Sequence, residues 1–574
     1  MGEVFPLAST CEYLVRRASA HRRAGRYDEA MALLARARET YGLREDVEFE
    51  LAQTYDELGL EDEAARSYLR VVRTAGELLS QALFQLALSA AQRGELPRAM
   101  AYYERFLSTD RKGVSEEFSG LFSQQLRGQI ERPAPRTKKQ RALALERRSV
   151  ERLQAGKTAA AVHCMRHSLR LKETPQGYAL LACCAMIDAD AQAALENAEK
   201  AHRLGRRRVQ TLCVLADAYS MAGDEQRARR AVQLAAMRAK ETDDLFAVAA
   251  ECAKRGMDAW TIRLTGRILG REPHHTRAMM MRGCAMMNLG RRKEASRLFG
   301  RVCGLMPEDS ICEAYYRLAC GSEELTERLT LGMDVTRAEA QERVTRMIAA
   351  MADEQPDRDD SENRLLCRHA VWALRSPLAG RHGALMAIML LSDMPVMDAY
   401  ESLLDALMEP RIPDGMKLAI LQVLTARHGV KPYYADIGGR LVRLAAGGTA
   451  QGNRTQSEQE TVQRAADRLM QRFPDAPGVM LPMWIAYLNA YGAPPKQRQD
   501  ACVAALELMY HEASGRKVNE RAVAREHGVS LRACRHCIRM IRRAMKMNLS
   551  SASDEKTEEI LPEREENDHE LRRF

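Results

Sequence analysis

Three groups of residues in this sequence are of types that could do chemistry. Cys534, His536 and Cys537 fall within a single helical turn, and thiolate sulfur with imidazole nitrogen is the donor set of a structural zinc site. Such a site needs a second Cys or His pair at matching spacing, and none follows, so both cysteines are read as small core residues of a helix. His163 and His167 are one helical turn apart and could share a metal ion. Cys164 stands where a metalloprotease carries its glutamate base, which leaves surface histidines as the reading. The third group is basic. Arg532, Arg535, Arg539, Arg542 and Lys546 recur every three or four residues, with His536 beside them and Ser530 placed to open the helix. A stripe of cations on one helix face suits phosphate contacts and base edges in a major groove. The sequence has no glycine loop ending in Lys and Ser or Thr to cradle a phosphate, and no strand-turn-helix to present a nucleophile. A non-enzyme with no cofactor and no metal is expected.

The scaffold for these residues has to be helical. The 574 residues are 46% hydrophobic and 29% charged, a globular balance, while aromatics are only 5% and Ala, Leu, Met and Arg recur throughout. The 14 cysteines fall in helical segments without the even, loop-separated spacing of a disulfide framework, which predicts reduced thiols and a reducing compartment. Met1 to Arg17 lacks a basic start followed by an apolar core, and the longest apolar run, Ala384 to Leu391, is far short of a bilayer span. Neither export nor a membrane partner is expected, and the predicted location is cytoplasmic. The net charge of +9 conceals an acidic end: Ser551 to Phe574 holds nine acids against four bases, leaving +14 on the rest by subtraction. Acidic partners are permitted by that excess.

Glycines recur at Gly25, Gly59, Gly94, Gly156, Gly223, Gly256 and Gly290, 33 to 35 residues apart where no copy is skipped, the period of a helix pair. Five residues after the glycine stand Ala30, Ala64, Ala99, Ala161, Ala228 and Ala295; seven before it stand Ala18, Ala52, Ala87, Ala216, Ala249 and Gly283. Helices close to about 8 to 10 Å only where a contact position lacks bulk, and glycine lets the turn between them reach positive φ. Large residues sit nine after the glycine (Leu34, Tyr68, Tyr103, Met165, Val232, Phe299), and Pro273 and Pro307 seventeen after it. The interval of 67 between Gly156 and Gly223 hides an eighth copy with its turn near Asp190.

On these residues the sequence resembles the tetratricopeptide repeat over about residues 8 to 310. The resemblance implies an all-α fold, a tetratricopeptide-repeat superhelix whose first helices line a concave face that binds peptides or partner helices. The lining residues are then Phe49, Gln53, Asp56 and Phe84 in a first block, and Leu180, Cys184, Cys213, Asp217, Phe246, Met280, Cys284 and Met287 in a second. Repeats of this family that clamp a C-terminal carboxylate carry Lys and Asn ten and six before the glycine. Val15 and Ser19, Phe49 and Gln53, and Met280 and Cys284 stand there instead, which points to an apolar partner segment or helix. Charged substitutions at Met280 and Met287 are expected to release it and leave the fold intact. Ordinary packing between repeats is the alternative for each lining residue.

The first block of three repeats spans 8–127. Residues 128–140, with Pro133, Pro135 and a basic cluster, form a linker and hinge, and about five repeats occupy 141–310. Helical periodicity continues from Ser310 to Leu444, with Leu378 to Ser392, Val396 to Met408 and Met416 to His428 as apolar helices; the 311–446 region is either HEAT-like or a plain continuation of the solenoid. A polar linker at 447–460 precedes a helical region at 461–549, and 550–574 is an acidic disordered tail. Within 518–547, Ala524, Gly528, Val529 and Ser530 resemble the helix-turn-helix of transcription regulators, with Cys534 and Cys537 inward and the arginines outward. Two readings stay open: a regulatory adaptor that grips a protein and contacts DNA or RNA through this module, and a purely protein-binding scaffold.

Overall fold

A computed structural model of the chain describes residues 10–130, 137–154, 157–322, 324, 325, 327–352, 359–394, 396–428, 432–437, 440–445, 480, 483, 484, 487, 496–513 and 518–554. The helices are α1 (Cys11–Arg23), α2 (Tyr27–Tyr41), α3 (Glu45–Glu57), α4 (Glu61–Thr74), α5 (Leu79–Gln92), α6 (Leu96–Leu107), α7 (Glu116–Ile130), α8 (Lys138–Gln154) and α9 (Thr158–Leu171). There follow α10 (Pro175–Ile187), α11 (Ala191–Leu204), α12 (Val209–Met221), α13 (Glu225–Arg238), α14 (Thr242–Lys254), α15 (Asp258–Leu269), α16 (Thr276–Asn288), α17 (Arg292–Leu305) and α18 (Ser310–Cys320). Next come α19 (Arg337–Ala352), α20 (Asp360–Arg375), α21 (Gly380–Asp393), α22 (Met397–Met408) and α23 (Asp414–His428). A hairpin of β1 (Pro432–Ile437) and β2 (Arg440–Ala445) precedes α24 (Lys496–Ala513), α25 (Glu520–Glu526) and α26 (Leu531–Asp554). The chain forms two compact units, residues 1–64 with 115–341, and 65–114 with 342–574.

The repeat pattern has its expected local cause. Gly25, Gly59, Gly94, Gly223, Gly256 and Gly290 all have positive φ, between 70° and 82°, and each separates two helices. In the hidden copy this conformation falls on Ala189, with φ 59°, and Asp190 caps the following helix by accepting from the Ala193 N–H at 3.0 Å. The alanines five after the turn are buried in every copy that has one, and Thr261 holds the place after Gly256. At Gly283 even a methyl group would collide with the Phe299 ring, so the smallest residue stands opposite a large one. Thr174, Asp224, His275 and Asp309 cap the later helices through their side chains, each accepting a backbone N–H from the first turn.

In the first unit the helix pairs α8–α9, α10–α11, α12–α13, α14–α15 and α16–α17 pack in sequence, and α1 packs on α2. Helix α2 also meets α17, where Arg301 reaches Asp28 at 3.6 Å; beside that contact Arg38 pairs with Glu308, and the Tyr27 and His274 rings make an edge contact at 5.1 Å. Gly128 lies inside α7 and Lys138 opens α8, so much of the segment read as a linker is helical, and residues 131–136 lie outside the described residues.

The second unit joins α5 and α6 to the helices that follow residue 342. Arg70 on α4 reaches Asp405 on α22 at 2.7 Å, Arg73 pairs with Glu401 and Asp405, and Arg98 on α6 reaches Asp436 on β1 at 2.8 Å. The hairpin corrects the expectation that helix continues to Leu444. Tyr433 and Ala435 alternate inward with a half-exposed Tyr434 between them, which is the two-residue period of a strand, and Tyr433 pairs with Leu444. The expected linker at 447–460 and most of 461–495 lie outside the described residues, as do 555–574.

Candidate functional site

Cys213 on α12, Phe246 on α14 and Met280 on α16 stand ten before their turn glycines, and Leu180 on α10 stands nine before the turn residue Ala189. Leu180, Cys213 and Phe246 are half-buried apolar side chains, one per helix pair, with Cys213 and Phe246 packed on one buried cluster and Leu180 on the one before it. Phe246 stacks on the His275 ring with centroids 5.3 Å apart, and His275 accepts the Ala278 N–H at 3.2 Å; burial holds this imidazole below its ordinary pKa. Asp217, four residues after Cys213, is engaged by its own unit: Arg255 donates to it at 2.6 Å and also pairs with Glu251. Burial raises the Asp217 carboxyl above the usual range despite the opposing guanidinium.

Several side chains read as groove lining are core. Phe84 is buried against Tyr103 and Phe106, the latter ring 5.1 Å away, and Phe49 and Cys184 are also buried. Gln53 is half-buried and accepts from Arg22 at 2.8 Å, while Asp56 is exposed. Met280, Cys284 and Met287 are buried, so charged substitutions there would enter the interior and the expectation of an intact fold does not hold. Met280 and Cys284 are covered by the same chain: the Gly332 Cα lies where an added Cβ would stand 3.1 Å from the Cys284 Sγ and 3.3 Å from the Met280 Cβ. The next segment, residues 327–335, is coil, without the periodicity that makes helices legible in the sequence.

At the far end of the chain α25 and α26 are joined by a turn in which Gly528 has φ 66° and the Val529 N–H returns to the Ala524 carbonyl at 2.9 Å. Ser530 caps α26, its hydroxyl accepting the Ala533 N–H at 3.2 Å. Cys534 and Cys537 are buried in a core with Trp484, Leu506, Tyr510 and Ile541. The Cys537 Sγ lies 3.6 Å from the Cys502 Sγ, and burial pushes the Cys534 thiol up to about 11, keeping it protonated at neutral pH. Arg532, Arg535, His536, Arg539 and Arg542 are exposed, and Lys546 lies on the same helix with its side chain outside the described set. The four arginines line an open groove of about 1180 Å³ with Leu531, Ile538 and Val518. Arg535 is paired with Glu520 at 2.8 Å and Arg542 with Glu512 at 2.5 Å. The His163 and His167 rings lie 5.7 Å apart, and among the described residues no three His, Cys, Asp or Glu side chains converge on a metal-sized site.

Two stretches, residues 12–42 and 81–111, match the family model of the tetratricopeptide repeat. No curated protein matches the chain in sequence. Among solved structures the chain is similar to yeast Tom70, with a TM-score of 0.29 and 10% identity over 69% of this chain and 94% of that one. It is also similar to the TPR2AB domain of yeast Sti1 in a complex with pHSP90, with a TM-score of 0.21 and 15% identity over 46% of this chain and 99% of that one. A third, the human IFIT1 dimer with m7Gppp-AAAA, has a TM-score of 0.20 and 11% identity over 96% and 92%. Scores of this size carry no partner across. Among the described residues no helix is long and apolar enough to cross a membrane.

Proposed function

Because the chain is a tetratricopeptide-repeat protein, we propose that it is a non-catalytic scaffold that holds an apolar segment of a partner protein against the first helices of its later repeats. The observation that carries this reading is the set of Leu180, Cys213 and Phe246. Three half-exposed apolar groups recur at an interval of 33 residues, one per helix pair, where polar side chains would be cheaper to leave in water. Replacing Leu180 and Phe246 by Glu tests it. Affinity capture with the full chain should yield a protein that the double variant loses, while its helical melting stays within a few degrees of the parent. Equal capture by both would end the reading.

A second reading concerns α26, and the arginine-lined groove favours it. Four guanidinium groups on one exposed face supply phosphate contacts, and the acidic stretch beyond residue 554 would compete for them at high local concentration. Removing residues 555–574 should strengthen binding to duplex DNA or RNA at low salt, and replacing Arg532 and Arg539 by Ala should abolish it. No gel shift by the shortened chain at low salt would leave the protein-binding scaffold alone.

A further inference from the structure

The first unit fills part of its own groove. Residues 328 to 332, Arg-Leu-Thr-Leu-Gly, run as coil along α14 and α16. Asn288, the last residue of α16, grips this strand by its main chain: its Oδ1 accepts the Leu329 N–H at 2.9 Å and its Nδ2 donates to the Leu329 carbonyl at 2.8 Å. One side-chain amide thus satisfies both backbone groups of a single residue, as a neighbouring β-strand would. Asp258 joins the contact, accepting from Asn288 at 3.0 Å and from Arg328 at 2.5 Å. Arg328 also donates at 2.7 Å to the carbonyl of Ala253, in the last turn of α14, where the helix dipole favours a cation. Leu329 is buried, and Leu331 packs on the same buried cluster as Cys213 and Phe246. Gly332, with φ 64° that side-chain-bearing residues rarely adopt, brings its backbone onto Met280 and Cys284, where an added Cβ would be crowded at 3.1 and 3.3 Å.

From this arrangement we infer that residues 328–332 are an internal ligand of the α14–α16 groove. A partner docks there by displacing them with an extended segment of the same chemistry, a base followed by two leucines one residue apart. The inference rests on the scaffold reading and adds its regulation. The amide fork of Asn288 reads backbone, so it serves any extended strand, while Asp258 selects the base and the cluster beneath Leu331 selects the apolar side chains. A tethered occupant lowers the apparent affinity for an outside one by the fraction of molecules in which the groove is open.

The test uses the full chain and a fluorescein-labelled peptide copying residues 325–335. Gly332→Val removes the positive-φ glycine and its close approach, so the internal strand should leave the groove. The peptide should then bind at least about tenfold tighter to this variant than to the parent. Adding Asn288→Ala to Gly332→Val should remove that gain. Equal binding to parent and Gly332→Val, or binding indifferent to Asn288→Ala, overturns the inference. Leu329→Ser with Leu331→Ser provides a second way to open the groove; if both opened variants lose their cooperative helical melting, the segment is obligatory core and the inference falls. The Leu180 and Phe246 substitutions report on partner capture separately, so capture that is equal in the parent and that double variant, while the peptide still binds Gly332→Val, ends the scaffold reading alone.

Discussion

At Ala228 and Gly283 a side chain of ordinary size has nowhere to go. Ala228 is wholly buried within the α12–α13 cluster, so Ala228→Leu should cost about 1 to 3 kcal/mol through overpacking, read as a lower urea midpoint. Gly223→Ala is the matching control: its added Cβ meets nothing within 4 Å, and only the positive φ of 82° resists it, at about 1 to 2 kcal/mol. An unchanged midpoint for Ala228→Leu would mean that α12 and α13 do not pack as described. His275 gives a pH dependence of known sign. Burial lowers its folded pKa below the ordinary imidazole value, so the unfolded chain binds the extra proton first. The stability it contributes is present above about pH 6.5 and is lost as the pH falls through the depressed folded value. His275→Asn keeps a capping side chain without that proton, so the loss of urea midpoint between pH 7 and pH 5 should shrink. His202 and His274, depressed by burial in the same way, leave a residual slope. A difference as large as the parent's would remove His275 from the account.

Helices α25 and α26 show what a paired stripe does to binding. Arg535 and Glu520 are both well exposed, so their pair is worth about 0 to 1 kcal/mol, and Glu520→Gln should free one cation and raise duplex affinity by up to about fivefold at low salt. Unaltered or weaker binding would place Arg535 outside the contact. The elements themselves were largely legible in the sequence. Gly528 and Ser530 mark the turn and the cap, Ala30 and its counterparts mark the close helix contacts, and the apolar run read as Leu378 to Ser392 becomes α21. The hairpin was missed because Tyr433 to Ile437 is too short to separate a period of two from a helix turn. Phe49 and Phe84 were misread as lining because both faces of their helices carry apolar residues, and position along a helix does not tell which face is covered. The strand at 328–332 left no signal at all, since Asn288 holds it by main-chain groups that every residue has.

At the scale of the whole molecule, the second unit is stitched between parts of the chain more than three hundred residues apart. Asp405 accepts from Arg70 and Arg73, and the three side chains are only 10 to 11% exposed. Asp405→Ala would leave two guanidinium groups short of an acceptor in a half-dry site, at a cost of about 3 kcal/mol, visible as lost hydrogen-exchange protection in α4 and α22. Protection equal to the parent's would show that the pairs form without holding the unit together. The same stitching sets a timetable for synthesis. Arg98 and its acceptor Asp436 are 338 residues apart, and at about 5 to 20 residues per second a ribosome needs roughly 17 to 70 s to supply the second after the first. Through that interval α5 and α6 exist without the acidic helix and hairpin that complete their unit, and before it ends everything in the other unit, through residue 341, has been made. The unit begun second is therefore finished last, and a chain stalled near residue 340 should be cut by protease first within residues 65–114.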